Sequence, residues 1–186
     1  MKFWETVRRD FHHHIDSPFY TDPKKVTFVK VLRAAIEPEF RIVFAYRVYS
    51  HLLNGGHTLL SYLIYIRTKA VTRCDIAREA TIGAGLKISH PFDIVIGPDA
   101  RIGDDAVIFN GVTIGNRLSR DHWTGMPEIG KSVLIGSGAK IVGPITIGDN
   151  ARIGANAVVL RDVPASGTAV GNPARIIDGN GRHNSG

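Results

Sequence analysis

Cysteine is almost missing from this chain. Cys74 stands alone among 186 residues, so no disulfide can close within it and a reducing, cytoplasmic setting is expected. Long apolar runs are missing too: the most apolar stretch, residues 59–66, is far shorter than the ~20 residues a membrane-crossing helix requires. It reads as a buried helix face. The opening segment, Met1 to Asp10, is charged and has no apolar core of the kind an export signal carries, so secretion is not expected. Acidic residues are in deficit, 17 against 23 Lys and Arg, which leaves a net charge of +6 and a pI near 9.7. That balance suits an anionic partner such as nucleic acid, an acidic membrane surface or a phosphorylated ligand. No basic run is interleaved with aromatics, so nucleic acid is not expected, while contact of the basic helices with a membrane surface stays open.

What the chain has in quantity is isoleucine at a fixed interval. Ile76, Ile82 and Ile88 form one run; Ile96, Ile102, Ile108 and Ile114 a second; Ile129, Ile135, Ile141, Ile147, Ile153 and Val159 a third. A helix repeats apolar residues at three and four and a half-buried strand at two, so a strict six requires a larger unit. Four residues after most anchors stands another small or apolar residue, among them Ala80, Leu86, Ala100, Ala106, Val112, Val133, Ala139, Ile145, Ala151 and Ala157. Both positions are expected to face inward. Gly follows many anchors (Gly83, Gly97, Gly103, Gly136, Gly148, Gly154), which reads as freedom for tight corners, with Asp104, Asp149, Asn150 and Asn156 nearby. Each hexapeptide is then one short strand and one corner, and stacked coils bury the inward faces continuously. An ordinary β-sandwich has longer strands at less regular spacing.

Residues 1–72 read as helical. Phe40, Val43, Phe44, Val48, Leu52 and Leu53 repeat at three to four before Gly55-Gly56; Leu59, Leu60, Leu63, Ile64 and Ile66 continue the pattern in a further helix; and Pro18, Pro23 and Pro38 delimit short helices near 3–15 and 24–36. These helices are expected to cap one open end of a solenoid spanning 73–177, whose other end is closed by residues 163–177. The polar, Gly-rich stretch 178–186 reads as a flexible tail. The period breaks twice. Two extra residues fall around His90-Pro91-Phe92, and a loop holding Arg117, Arg120, Asp121, His122, Trp123 and Met126 separates Ile114 from Ile129. A solenoid core uses neither, and loops on rigid scaffolds are where binding and catalysis concentrate.

His90 sits at an interruption, fifteen residues after Asp75, close to one coil of eighteen, so the two side chains can stand in adjacent layers. A carboxylate accepting from one ring nitrogen fixes the tautomer and leaves the other nitrogen as a base for a hydroxyl. Cys74 needs no nucleophilic role in such chemistry. The adjacent His12, His13 and His14 point in different directions on a helix and read as surface.

These residues carry a resemblance. The FRIVFAYRVYSHLL helix, the path from Asp75-Ile76 through Gly83-Ala84-Gly85 to Ile88-Ser89-His90, the Ile94-Val95-Ile96-Gly97 stretch, IGSGAKIVG at 135–143 and VGNPARII at 170–177 resemble the hexapeptide acyltransferases, most closely their serine acetyltransferase branch. The resemblance implies a mainly β protein: a left-handed parallel β-helix (hexapeptide-repeat solenoid) with an N-terminal α-helical cap, three hexapeptides per coil, and homotrimers with active sites between subunits. The left hand comes from the resemblance alone, since the general crossover rule favours the right. It further implies that His90 is the general base and Asp75 its partner, that the acyl donor is acetyl-CoA, and that no metal takes part. Gly115, where the long loop leaves the coil, is a candidate for oxyanion stabilisation and donor binding. Coenzyme A contacts are expected at Ser137, Ala139, Arg152, Ala155 and Arg175, with Lys140 as a further cation for its phosphates.

Departures from the branch gather where the acceptor should bind. The serine enzymes carry Asp-His where this chain has Ser89-His90, and Arg-His-Pro where it has Gly125-Met126-Pro127, while Asp22 matches a further acceptor-binding Asp. Met126 cannot grip a carboxylate, whereas Asp121, His122 and Trp123 offer an aromatic face and short polar groups suited to a sugar. The expected acceptor site is therefore Asp22, Ser89, Asp121, His122, Trp123 and Met126, and the expected acceptor a sugar hydroxyl ahead of L-serine. Docking to cysteine synthase is not expected, because the chain does not end in the isoleucine those enzymes use. Two other classes compete: a zinc carbonic anhydrase on the same helix, which needs three convergent histidines where the solenoid offers His90 and His122, and a non-catalytic scaffold.

Overall fold

The structure is a computed structural model that describes residues 3–15, 36–118 and 125–177. The tail at 178–186, Asp22, Arg120, Asp121, His122 and Trp123 lie outside the described residues, as does nearly all of the helix expected near 24–36. Among the described residues three helices come first: α1 (Phe3–Ile15), α2 (Pro38–Asn54) and α3 (Thr58–Thr72). Pro38 occupies the first turn of α2, where its missing N–H costs nothing. Arg73 closes α3 in the left-handed conformation.

Fifteen short strands among the described residues then wind into three sheets. The first sheet holds β1 (Asp75–Ile76), β4 (Val95–Ile96), β7 (Thr113–Gly115), β10 (Lys140–Val142) and β13 (Val158–Val159). The second stacks β2 (Thr81–Ile82), β5 (Arg101–Ile102), β8 (Glu128–Ile129) and β11 (Thr146–Ile147). The third holds β3 (Lys87–Ser89), β6 (Val107–Phe109), β9 (Leu134–Ile135), β12 (Arg152–Ile153), β14 (Thr168–Val170) and β15 (Arg175–Ile177). All pairings are parallel except β14 with β15, whose antiparallel return closes the far end.

The six-residue period is this winding. Ile76, Ile96, Ile114, Ile141 and Val159 stack in register as one interior column, Ile82, Ile102, Ile129 and Ile147 as a second, and Ile88, Ile108, Ile135 and Ile153 as a third. All are buried, each contributing roughly 2 kcal/mol or more of apolar burial. Gly plays a different part from the expected one. The glycines directly after the anchors lack positive φ; the left-handed residues are Asp105, Asn150 and Asn156 two positions further on, with φ of 58°, 60° and 56°. Close stacking explains the glycines instead: a Cβ at Gly103 would lie 2.6 Å from the Gly130 carbonyl carbon one coil up. Asp104 and Asp149 tie coils together, accepting from the Ala84 and Lys131 amides at 2.9 and 2.7 Å.

The first coil would present an unpaired edge, and α2 covers it. Tyr46 donates to the Ala80 carbonyl at 2.7 Å, Tyr49 to that of Ile76 at 2.8 Å, and Arg47 to those of Ile82 and Gly83, both at 2.6 Å. Asp10 on α1 accepts from the Gly85 and Leu86 amides and from the Arg47 guanidinium. Two expectations are corrected at this cap. His13 and His14 are not free surface groups: His13 donates to the Gly85 carbonyl, and buried His14 pairs with Glu37 at 3.0 Å. Helix α3 is not buried either. It turns Ser61 inward to donate to the Tyr49 carbonyl and leaves Leu59, Leu60, Leu63 and Ile66 exposed.

Candidate active site at one vertex of the solenoid

His90 follows β3 directly, at the corner joining the third sheet to the first. Each regular coil turns this corner on one left-handed residue: Gly111, Gly138 and Asn156 occupy equivalent places, as does Asp93 in the coil of His90. The two-residue insertion adds a second such residue, His90 itself, at φ 55°. Left-handed non-glycine residues also turn regular corners, at Asp105, Asn150 and Asn156, so what sets His90 apart is its place in the insertion. The His90 side chain is exposed.

Asp75 opens β1, and its Cα is registered on Val95 of the next coil, with the Asp75 amide donating to the Ile94 carbonyl at 2.7 Å. His90 lies on the corner that feeds this Val95. The fifteen-residue spacing therefore puts Asp75 and His90 at one vertex, in adjacent layers. Within the chain the Asp75 carboxylate is held from the helical side: Tyr65 Oη donates to one oxygen at 2.5 Å and Lys69 Nζ to the other at 2.5 Å. Neither partner was legible in the sequence, where Tyr65 is one more member of an apolar helix and Lys69 one more surface cation.

Continuing the register two residues past the anchors Ile108, Ile135 and Ile153 places Asn110, Ser137 and Ala155 in a row up this vertex, and the same count from Ile88 reaches His90, where the insertion begins at the foot of the row. The Gly138 amide donates to the Asn110 carbonyl and the Asn156 amide to that of Ser137, both at 2.8 Å, as the stacking demands. At about 4.8 Å per layer the row makes a track that ends roughly 14 Å from the layer of His90. Arg152 lies exposed on the third sheet just before Ala155, and Arg175 lies exposed on β15. Two expected donor contacts do not fit. Ala139 is an inward position, wholly buried, with its amide and carbonyl bonded to Gly136 and Thr113. Lys140 folds back on its own sheet, donating to the Gly111 carbonyl at 2.6 Å and the Thr113 hydroxyl at 3.0 Å.

Gly115 and Met126 belong to another vertex, between the first and second sheets, where the long loop leaves and returns. Asn116 Oδ1 closes the loop base by accepting from the Gly125 amide at 3.2 Å. Met126 packs inward over Gly97 against the core, so it anchors the loop and does not present its side chain to an acceptor as expected. One chain thus holds His90, Asp75, Ser89, Ser137 and Ala155 together and keeps Gly115 and Met126 apart from them.

Cys74, beside Asp75, is buried, and burial pushes its thiol up from the usual range, which keeps it protonated and unsuited to attack. Among the described residues no group of three or more His, Cys, Asp or Glu converges on one point, and no helix is long and apolar enough to cross a membrane.

Lys87, two residues before Ser89 on the same outward face, is 8% exposed, has no hydrogen-bond or ion-pair partner among the described residues, and has its ammonium pushed down by burial. A lysine whose folded value lies below its unfolded one costs stability throughout the range where it is charged. The cost lifts only as pH rises through that window. Lys87→Met is expected to raise unfolding free energy at neutral pH by about 1 kcal/mol, with the gain shrinking towards alkaline pH in urea titrations.

A winding of short parallel strands with six-residue interior columns, interrupted only where a histidine and a long loop stand out, defines a hexapeptide-repeat transferase. Family models agree: "Bacterial transferase hexapeptide (six repeats)" matches residues 126–161 and "Hexapeptide repeat of succinyl-transferase" residues 93–117. The serine acetyltransferase of Mycobacterium tuberculosis is 39% identical over 159 residues, covering 84% of this chain and 67% of that protein. That of Staphylococcus xylosus is 36% identical over 181 residues, covering 97% and 81%. A solved serine acetyltransferase in complex with CoA superposes with a TM-score of 0.81 at 31% identity, covering 94% of this chain and 69% of that one. The chain belongs to the serine acetyltransferase-like branch of the hexapeptide-repeat acyltransferases, whose solenoid is a left-handed parallel β-helix.

Proposed function

We propose that this protein is an acetyl-CoA-dependent O-acetyltransferase in which His90 removes the proton from an acceptor hydroxyl and Asp75 orients and charge-balances the imidazole. The observation that carries this reading is the juxtaposition of His90 and Asp75 at one vertex, at the foot of the Asn110–Ser137–Ala155 track. The freed oxygen attacks the thioester carbonyl, an oxyanion forms, the C–S bond breaks, and the leaving thiolate takes the proton back from the imidazolium. No covalent enzyme intermediate is needed. Coenzyme A lies along the track, with Ser137 and Ala155 against it and Arg152 and Arg175 towards its phosphates; the solved relative in complex with CoA supports coenzyme A as the ligand.

The acceptor supported best by the relatives is L-serine, since the similar proteins are named for it. This is the alternative in the sequence reading, where a sugar stood first. One observation still favours a sugar hydroxyl: Met126 stands where the serine enzymes have a basic residue and is packed onto the core. Purified protein assayed for thiol release from acetyl-CoA, with L-serine and separately with mono- and oligosaccharides, decides between them. Turnover is expected with serine, and release with a sugar alone overturns that acceptor.

A homotrimer is part of this reading. It is supported by the separation of Gly115 and the Met126 loop from His90 in one chain, which a neighbouring copy can bridge, and by the exposed leucines of α3, which call for a cover. Sedimentation of the full chain tests it, and a monomer at assay concentration counts against it.

A further inference from the structure

We infer that Tyr65 and Lys69 are positioning residues that grip Asp75 and set how strongly it favours a proton on His90; this rests on the roles proposed above for His90 and Asp75. The two side chains leave one face of α3 at i and i+4, and each takes a different oxygen of the same carboxylate at 2.5 Å. The Lys69 ammonium also stands 5.9 Å from the Tyr65 ring centre. Helix α3 is itself fixed: Ser61 bonds to the Tyr49 carbonyl, the Tyr65 ring meets that of Tyr49 edge-on at 5.7 Å, and Tyr49 bonds to the Ile76 carbonyl next to Asp75. The grip therefore has little play.

A carboxylate offers about four lone-pair sites, so two donors on the helical side leave room for an imidazole N–H from the next coil. Charge follows from position. Lys69 partly neutralises Asp75 and the Tyr65 hydroxyl donates to it, and both weaken the stabilisation Asp75 gives to an imidazolium. The other polar groups around this carboxylate do not take over that role. Cys74 is protonated, its thiol raised by burial; Tyr49 is buried and neutral, its phenol pushed well up by desolvation; Arg73 caps α3; Asp93, on the corner after His90, adds negative charge from the next coil. Burial, followed by the bond to Asp75, also raises the Tyr65 phenol, so it remains a donor across the working range. The bond to Asp75 raises Lys69, so it remains a cation.

The sign of the effect follows. A general base works only when neutral, so kcat/KM falls on the acid side as the imidazole is protonated. Removing Lys69 or the Tyr65 hydroxyl makes Asp75 a stronger partner for the imidazolium and moves that acid limb to higher pH.

The test is the pH profile of kcat/KM for acetyl-CoA, at low ionic strength, on the full chain carrying Lys69→Met, Tyr65→Phe, Lys69→Arg or His90→Asn. Lys69→Met is expected to shift the acid limb upward by about half a pH unit, a modest figure because Lys69 is half exposed and screened. Tyr65→Phe is expected to shift it the same way and Lys69→Arg to restore the parental limb. Equal melting temperatures with the shift present support the inference. A lowered melting temperature with the limb unmoved makes the pair a structural clamp and overturns it. His90→Asn separates the two levels: an inactive His90→Asn with an unmoved Lys69→Met limb removes only the coupling, whereas an active His90→Asn removes the base assignment beneath it.

Discussion

Replacing His90 with asparagine is expected to lower the rate of acetyl transfer by roughly 10²–10⁴-fold, the range a positioned general base contributes, with little change in the unfolding midpoint. Both halves of this expectation come from where the residue sits. The side chain is exposed, lies outside all three isoleucine columns and belongs to a two-residue insertion that the regular coils lack at this corner. The protein gains no packing from it. Its backbone is left-handed, at φ 55°, which asparagine tolerates better than alanine does. His90→Asn therefore isolates the chemistry, while His90→Ala adds a backbone cost of roughly 1 kcal/mol. Steady-state turnover and thermal unfolding of the same preparations check the pair of effects, and near-parental turnover in His90→Asn means that another group takes the proton.

The largest stability effect is expected at Arg47. Replacing it with methionine should cost about 3–5 kcal/mol, a large part of the 5–15 kcal/mol that usually separates folded from unfolded chains. The Arg47 guanidinium is buried and spends its donors on four acceptors: both Asp10 oxygens at 2.8 and 3.1 Å and the carbonyls of Ile82 and Gly83 at 2.6 Å. Methionine preserves much of the volume and takes a donor from each of the four. The worst is Asp10, 1% exposed, which keeps only the Gly85 and Leu86 amides. Urea titration should show a lower midpoint with an unchanged slope. The double variant Arg47→Met, Asp10→Asn should cost clearly less than the sum of the single changes, because each removes what the other was compensating. Additive losses in that cycle indicate that the pair does not act as a unit.

Periodicity exposed the solenoid because each interior column takes one residue from every coil, so a three-dimensional stack projects onto the sequence as a simple interval. The interruption at His90 was visible for the same reason, since an insertion disturbs a strict period wherever it falls. What the period cannot report is which side of the wall a chosen residue faces once the reasoning shifts from packing to ligands. Ala139 was expected to touch coenzyme A although its own place in the repeat points it inward, and it is buried. Contacts between helices and coils were equally silent. Tyr46, Arg47 and Tyr49 lie between the apolar positions that mark the helix, yet they are the donors that satisfy the first coil. Asp75 gave its spacing to His90 but not its bonds to Tyr65 and Lys69, because docking of α3 on the solenoid leaves no interval to count. The glycines misled in a more instructive way. A corner suggests dihedral freedom, whereas what the stacked coils require of Gly103 is the absence of a Cβ.

The cap formed by α1 and α2 also gives assembly a direction. A coil in this architecture adds onto the one before it, using that coil's free backbone groups as a template. On the helical side those groups are already taken, by Tyr46, Arg47, Tyr49 and Asp10, so no further coil can be templated there. A coil can be added only at the opposite rim, until β14 and β15 close it. Since a nascent chain delivers the helices first and the coils afterwards in order, each new turn meets a finished surface with one available edge. The cap thereby leaves the ladder a single direction in which it can extend.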